Sequence, residues 1–198
     1  MNHRNIPIIT YGLIVINVFF YIVCAFTGDL LYNIGALVSS MMTDTGSWYR
    51  LITSMFLHAD LMHVAGNMIM LYLAGDIMER VCGHLFFIVL YVVSGLGGSV
   101  LSVACDWIKH TDSISVGASG AVFGIVGALL FLTIFSRGSY AGITTGRVVF
   151  MIIYMLYLGF TTPSINNAAH IGGILSGFVL MSGLVRWKRH QERGTYEN

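Results

Sequence analysis

The sequence predicts an all-α, polytopic membrane bundle of six transmembrane helices, and three observations carry that reading. Of 198 residues, 56% are hydrophobic and only 10% are charged, where a soluble domain carries roughly a quarter charged. The apolar residues fall in long runs, and a helix needs about 20 of them to cross a hydrocarbon core about 30 Å thick. Helix is also the simplest way to satisfy every backbone N–H and C=O in lipid without the alternating pattern of a barrel. The length fits one compact membrane domain covering 1–198.

Taken in order, the spans fall at about 6–26, 61–76, 84–105, 118–135, 148–160 and 168–185. The first is long and has no small-residue cleavage site, so it reads as a retained span. A mixed loop follows, with Leu37, Val38, Met41, Met42, Trp48 and Tyr49 among glycines and polar residues. Interfacial aromatics with apolar content predict a structured segment at the outer membrane surface. The second, fourth and fifth spans are short, which predicts water-accessible or thinned ends. From Trp187 onward, 187–198 read as a polar, partly basic and mobile cytoplasmic tail.

Basic residues orient the bundle. With six spans both termini share a side, and that side carries Arg4, Arg80, Arg137, Arg147, Arg186, Lys188, Arg189 and Arg193, eight of the ten basic residues. The other side carries Arg50 and Lys109. Both termini are therefore expected in the cytoplasm. A net charge of +1 argues against nucleic acid as a partner. Cys24, Cys82 and Cys105 show no paired spacing, so no disulfide framework is expected.

Polar residues in the spans carry the functional signal, because such groups are costly in lipid and mark function. Ser119 lies 18 residues before Arg137, about 27 Å along a helix. His170 lies 16 residues before Arg186 and His63 lies 17 before Arg80, about 24 and 25 Å. Asn67 lies 13 before Arg80, about 20 Å. Three helices thus place a serine, two histidines and an asparagine in one layer near the outer face.

The chemistry suits that layer. A serine hydroxyl becomes a nucleophile when a base takes its proton, and histidine is the usual base near neutral pH. Ser119 opens its span, where free N–H groups favour developing negative charge. His63 and Asn67, spaced i and i+4, share one face and can both donate to an oxyanion. With no acidic third member in the layer, a Ser–His dyad is expected rather than a triad. Other readings stay open at this point. Ser119 with Gly117, Gly120, Gly124 and Gly127 also reads as a small-residue packing face, matched by Gly173 and Gly177 beside His170. A metal site is disfavoured, since His58 and His63 lie about 140° apart around a helix and only Asp60 supplies a nearby carboxylate. A transporter is weakened by the lack of an acidic residue deep in any span.

These residues resemble a known family, the rhomboid intramembrane serine proteases in their basic six-span bacterial form. The likeness rests on His58-x4-His63-x3-Asn67, on Gly117-Ala118-Ser119-Gly120 and on Ala169-His170-x2-Gly173-x3-Gly177. It implies Ser119 as nucleophile, His170 as general base, and His63, Asn67 and the Ser119 backbone N–H as the oxyanion hole. His58 is then structural or water-organising, with Gly117 and Phe123 in support. The resemblance further implies a plasma-membrane endopeptidase without metal or cofactor, its site reached through a water-filled cavity from the extracytoplasmic side. Its substrates would be single-span or polytopic membrane proteins whose helix unwinds easily, cut near the outer end beside a small residue. The first loop would lie partly in the membrane, and span 5 with the following loop would gate entry. Two positions depart from the family. Trp48-Tyr49-Arg50 puts a tyrosine where its Trp-Arg pair has tryptophan, and Phe123 stands where some members carry a tyrosine that stacks on the histidine. A catalytically silent rhomboid-like protein that binds membrane helices is the alternative. Oligomeric state is not encoded in these motifs.

Overall fold

The computed structural model describes residues 6–162 and 165–196, with side chains to 192. Among the described residues, four helices are long and apolar enough to cross a membrane: Ile8–Thr27, Leu61–Cys82, His84–Lys109 and Asn167–Glu192. Two shorter apolar helices, Ser119–Phe135 and Thr145–Thr161, complete the set. In chain order the helices are α1 (Ile8–Thr27), α2 (Leu30–Gly35), α3 (Arg50–Thr53), α4 (Leu61–Met70), α5 (Asp76–Cys82), α6 (His84–Lys109), α7 (Ser119–Phe135), α8 (Thr145–Thr161) and α9 (Asn167–Tyr196). A π-helical turn, Leu71–Gly75, joins α4 to α5 in one continuous rod.

Helix α7 forms the centre. Its apolar residues are spread around the whole circumference and run buried almost without break from Gly120 to Leu129, as expected of a helix enclosed on all sides. Helices α6 and α9 pack directly on it through small residues. A Cβ on Gly173 would strike the Gly120 carbonyl, and one on Gly177 the Gly124 carbonyl. Contact at that range is open only to glycine, and it brings the backbones of α7 and α9 together. Helix α8 stands at the edge, with Phe150, Ile153, Tyr154, Tyr157 and Phe160 exposed.

The first loop is built as expected of a structured segment. Between α2 and α3 lie β1 (Leu37–Val38) and 3₁₀ turns at Ser39–Thr43 and Thr45–Ser47. Strand β1 pairs antiparallel with β2 (Ile114–Ser115), with Leu37 opposite Ser115. The loop is thus bonded to the segment that leads into α7. Asp106, buried near the end of α6, accepts from Ser39 Oγ, Thr111 Oγ1 and Ser113 Oγ. Arg50, 8% exposed, donates to the Ala36 and Asn33 carbonyls at 2.8 and 2.9 Å.

Two expectations need correction. Helices α5 and α6 run past residues 76 and 105, so they carry the buried carboxylates of Glu79 and Asp106. Glu79 is 1% exposed and accepts from the Ile9 and Thr10 N–H groups at 2.9 and 2.7 Å, with Thr10 Oγ1 and His84 Nδ1 alongside. It satisfies the open N–H groups at the start of α1, where negative charge is favoured. The stretch 187–196, expected to be mobile, continues α9 as helix. Arg, Lys, Gln and Glu are good helix formers, and the Arg189 guanidinium sits 4.2 Å over the Phe135 ring.

Candidate active site

His58, His63, Gly117, Ser119 and His170 lie in or just ahead of the first turns of α4, α7 and α9, with Asn67 and Phe123 one turn deeper, and local structure explains each position. Asp60 is extended at the N-cap of α4 and its Oδ1 accepts from the His63 N–H at 2.8 Å. This standard cap starts the helix so that His63 stands in its first turn and Asn67 one turn deeper. Ser119 is the first residue of α7 and is partly exposed. His170 is the fourth residue of α9 and is 6% exposed.

Gly117 sets the approach to Ser119. Its φ of +128° belongs to a backbone region that side chains rarely enter. A Cβ there would also lie 2.7 Å from His63 Cε1 and Nε2 and 3.8 Å from Asn67 Nδ2. The glycine therefore lets the His63 ring and the Asn67 amide close onto the backbone just ahead of the serine. Asn67 Nδ2 is buried with no hydrogen-bond partner. Unpaired buried donors are costly, and here the donor lies 3.8 Å from where a Cβ on Gly117 would stand.

His58 supports the same segment from behind. It is fully buried, its Nε2 lies 3.4 Å from the Ala118 N–H, and its ring meets that of His63 edge-on at 5.2 Å. The neighbouring Gly117 N–H donates to the Ser54 carbonyl at 2.9 Å. Tyr32 Oη donates to the His58 carbonyl at 2.5 Å. His58 lies ahead of the spanning helix, and burial pushes its pKa down to about 4, with the His63 charge acting in the same direction. It is neutral at physiological pH.

His170 stacks on Phe123, with ring centroids 3.9 Å apart and planes 9° from parallel. Ser119 and Phe123 are four residues apart on α7 and so share one face. The histidine is thereby seated against the face that carries the serine, one turn along. His170 Nδ1 is buried without a hydrogen-bond partner, and the ring rests against Phe123. Among the described residues, no three His, Cys, Asp or Glu side chains gather as a metal-binding group.

Comparison with known proteins decides the family. The family model described as Rhomboid domain matches residues 45–187. The chain belongs to the rhomboid family. It is 31% identical over 183 residues to Rhomboid protease GluP of Bacillus subtilis (strain 168), covering 90% of this chain and 35% of that protein. RHOMBOID-like protein 5 of Arabidopsis thaliana is 39% identical over 152 residues, covering 76% of this chain and 48% of its own length. RHOMBOID-like protein 1 of the same plant is 39% identical over 155 residues, at 76% and 38% coverage. The chain thus spans a third to a half of the length of these rhomboid relatives.

Several residues of this rhomboid site escaped the sequence analysis. Asn166, Ser102 and Ser115 form a hydrogen-bonded group between α9, α6 and β2. Tyr32, through the His58 carbonyl, and Ser54, through the Gly117 N–H, hold the backbone around this segment. The one local signal was Asn166 itself, an asparagine just before a helix, which is a preferred N-cap.

Proposed function

We propose that this rhomboid is an intramembrane serine endopeptidase. Six crossings place both termini in the cytoplasm, and the site opens toward the extracytoplasmic side of a bacterial plasma membrane. The convergence of His63 and Asn67 on Gly117, two residues ahead of Ser119, is the observation that best supports this reading. Close packing of glycines serves helix contact alone and asks for no buried unpaired donor. An oxyanion site does.

Ser119 Oγ attacks the scissile carbonyl of an unwound substrate helix while His170 takes its proton, then returns it to the leaving amine. His63, Asn67 and the Ser119 N–H stabilise the tetrahedral oxyanion, a contribution of about 10²–10³ in rate for a single donor. The α7 N-terminus adds a favourable dipole. Phe123 holds the base in place of an acidic third member, and a water molecule delivered through the open end hydrolyses the acyl-enzyme. Substrates are membrane proteins with an easily unwound helix carrying a small residue near its outer end.

The test uses purified protein in detergent or proteoliposomes with a single-span substrate. Cleavage and fluorophosphonate labelling are expected from the wild type and from neither Ser119→Ala nor His170→Ala. Cleavage that persists in Ser119→Ala overturns the assignment. A wild type inert to substrate and probe, yet retaining bound membrane helices, supports the silent helix-binding reading instead.

A further inference from the structure

We infer that Asn166 is a positioning residue that locks the serine-bearing segment and the histidine-bearing helix to one another. The inference rests on the protease reading of the same site.

Asn166 stands four residues before His170, and Ser115 stands four before Ser119. The Asn166 amide joins them. Its Nδ2 donates to Ser115 Oγ at 2.6 Å and to Ser102 Oγ at 2.5 Å. Its Oδ1 accepts the Ala169 N–H at 3.1 Å. That last bond fixes the orientation of the amide, since only the oxygen can accept. The main chain adds a further tie, with the His170 N–H on the Asn166 carbonyl at 3.3 Å. One residue therefore caps the turn that carries the base and reaches across to the strand that leads to the nucleophile.

The anchors on the far side are firm. Ser102 is buried at 2% exposure in α6, the helix packed against both α7 and α9. Ser115 belongs to β2, which is paired with β1, and the next turn is held by the Gly117 N–H on the Ser54 carbonyl. Glycine contacts between α7 and α9 fix how closely the helices pack. They reach Ala169 at the α9 start, whose carbonyl lies against Gly98 and Gly120, but none of them ties α9 to the β2 segment. Asn166 supplies that constraint. The Ser119–His170 separation must hold for proton transfer, and a misplacement of about 1 Å can cost about 10²-fold in rate.

Asn166→Ser separates the cap from the bridge. Serine remains a strong N-cap, but its short side chain cannot span to both hydroxyls. In the full-length protein with a single-span substrate, Asn166→Ser is expected to lower kcat by about 10-fold or more with KM within about twofold. Ser115→Ala should lower kcat in the same way. The double variant should be no slower than Asn166→Ser alone, because both remove one bridge. The melting midpoint of Asn166→Ser should stay close to wild type, since the cap survives. A folded Asn166→Ser enzyme with kcat within twofold of wild type overturns the inference, as does a rise in KM alone or a double variant whose losses multiply. If Asn166→Ser does not fold, Ser102→Ala and Ser115→Ala remove the acceptors from the other side, and full kcat in both overturns it equally. A wild type that never cleaves or labels sinks the protease reading instead, whereas an active wild type matched by its variants sinks the bridge alone.

Discussion

Gly117 and His58 show how much of the site is decided by single side chains, or by the lack of one. Gly117→Ala places a methyl group 2.7 Å from the His63 ring and forces alanine to a φ of +128°. Such backbone strain costs about 1–3 kcal/mol. His63 must also move off the segment where it would serve as donor. The expected outcome is a loss of cleavage of about 10²-fold or more with a smaller fall in stability, read from kcat and from a denaturation midpoint. A Gly117→Ala protein of normal activity breaks the link between this glycine and the oxyanion site. His58 contributes a pH dependence. Its pKa is about 4 in the fold and about 6.5 when unfolded, so the unfolded chain binds the extra proton. Stability from keeping His58 neutral is complete above pH 6.5 and is lost as pH falls toward 4, by up to about 3 kcal/mol near that limit. Denaturation midpoints measured from pH 7.5 to 4.5 should therefore fall more steeply in wild type than in His58→Gln. Parallel profiles would show that His58 titrates without affecting the fold.

Among the elements, the first loop owes its shape to bonds between distant residues, and Arg50 is its main fastener. Its guanidinium joins the Ala36 and Asn33 carbonyls, while Tyr49 Oη donates to the Ile34 carbonyl at 2.9 Å and its ring lies under the Arg50 charge. The tyrosine thus keeps an aromatic and a hydrogen bond at the position where the resemblance led to a tryptophan. Arg50→Ala should cost about 3 kcal/mol or more, since each of its two bonds from a charged donor contributes about 1.5–3 kcal/mol. Arg50→Lys should rescue less than half, because one ammonium cannot fork to two carbonyls. Chemical denaturation in detergent checks both, and near-wild-type stability in Arg50→Ala removes the loop's claim to be held this way. These elements also mark what the sequence could reveal. Helices α1, α4 and α6 were legible from apolar length, and so was the place of Ser119 at the start of its helix. The partners of Asn166 were not, because Ser102 and Ser115 lie 64 and 51 residues away. A bond between remote side chains leaves no local period. Glu79 was missed for a simpler reason: a carboxylate close to Arg80 looks like a solvated end until α1 is placed over it.

At the scale of the whole molecule, the arrangement depends on how closely α6, α7 and α9 approach, since Ser119 and His170 stand on two of these three helices. Lipid offers little hydrophobic drive for helices to associate, so close backbone packing must supply it. The glycines were legible as a packing face, and the contacts of Gly173 and Gly177 with α7 are of that kind. Gly177 tests the first role away from the chemistry, because it faces the Gly124 carbonyl two turns down α9 from His170. A methyl group there meets backbone rather than a flexible side chain, so α9 must move away from α7. Gly177→Ala is expected to cost about 1–3 kcal/mol of stability, the range of overpacked cores, read as a lower denaturation midpoint, and to reduce kcat by at least about 10-fold through the altered serine–histidine geometry. Gly66, on α4, provides the control, since a Cβ there meets nothing within 4 Å. Gly66→Ala should raise stability by about 0.5–1 kcal/mol through helix propensity alone and leave cleavage unchanged. If both variants behave alike, helix propensity rather than close approach governs the bundle, and the glycine seam loses its role in setting the distance from His170 to Ser119.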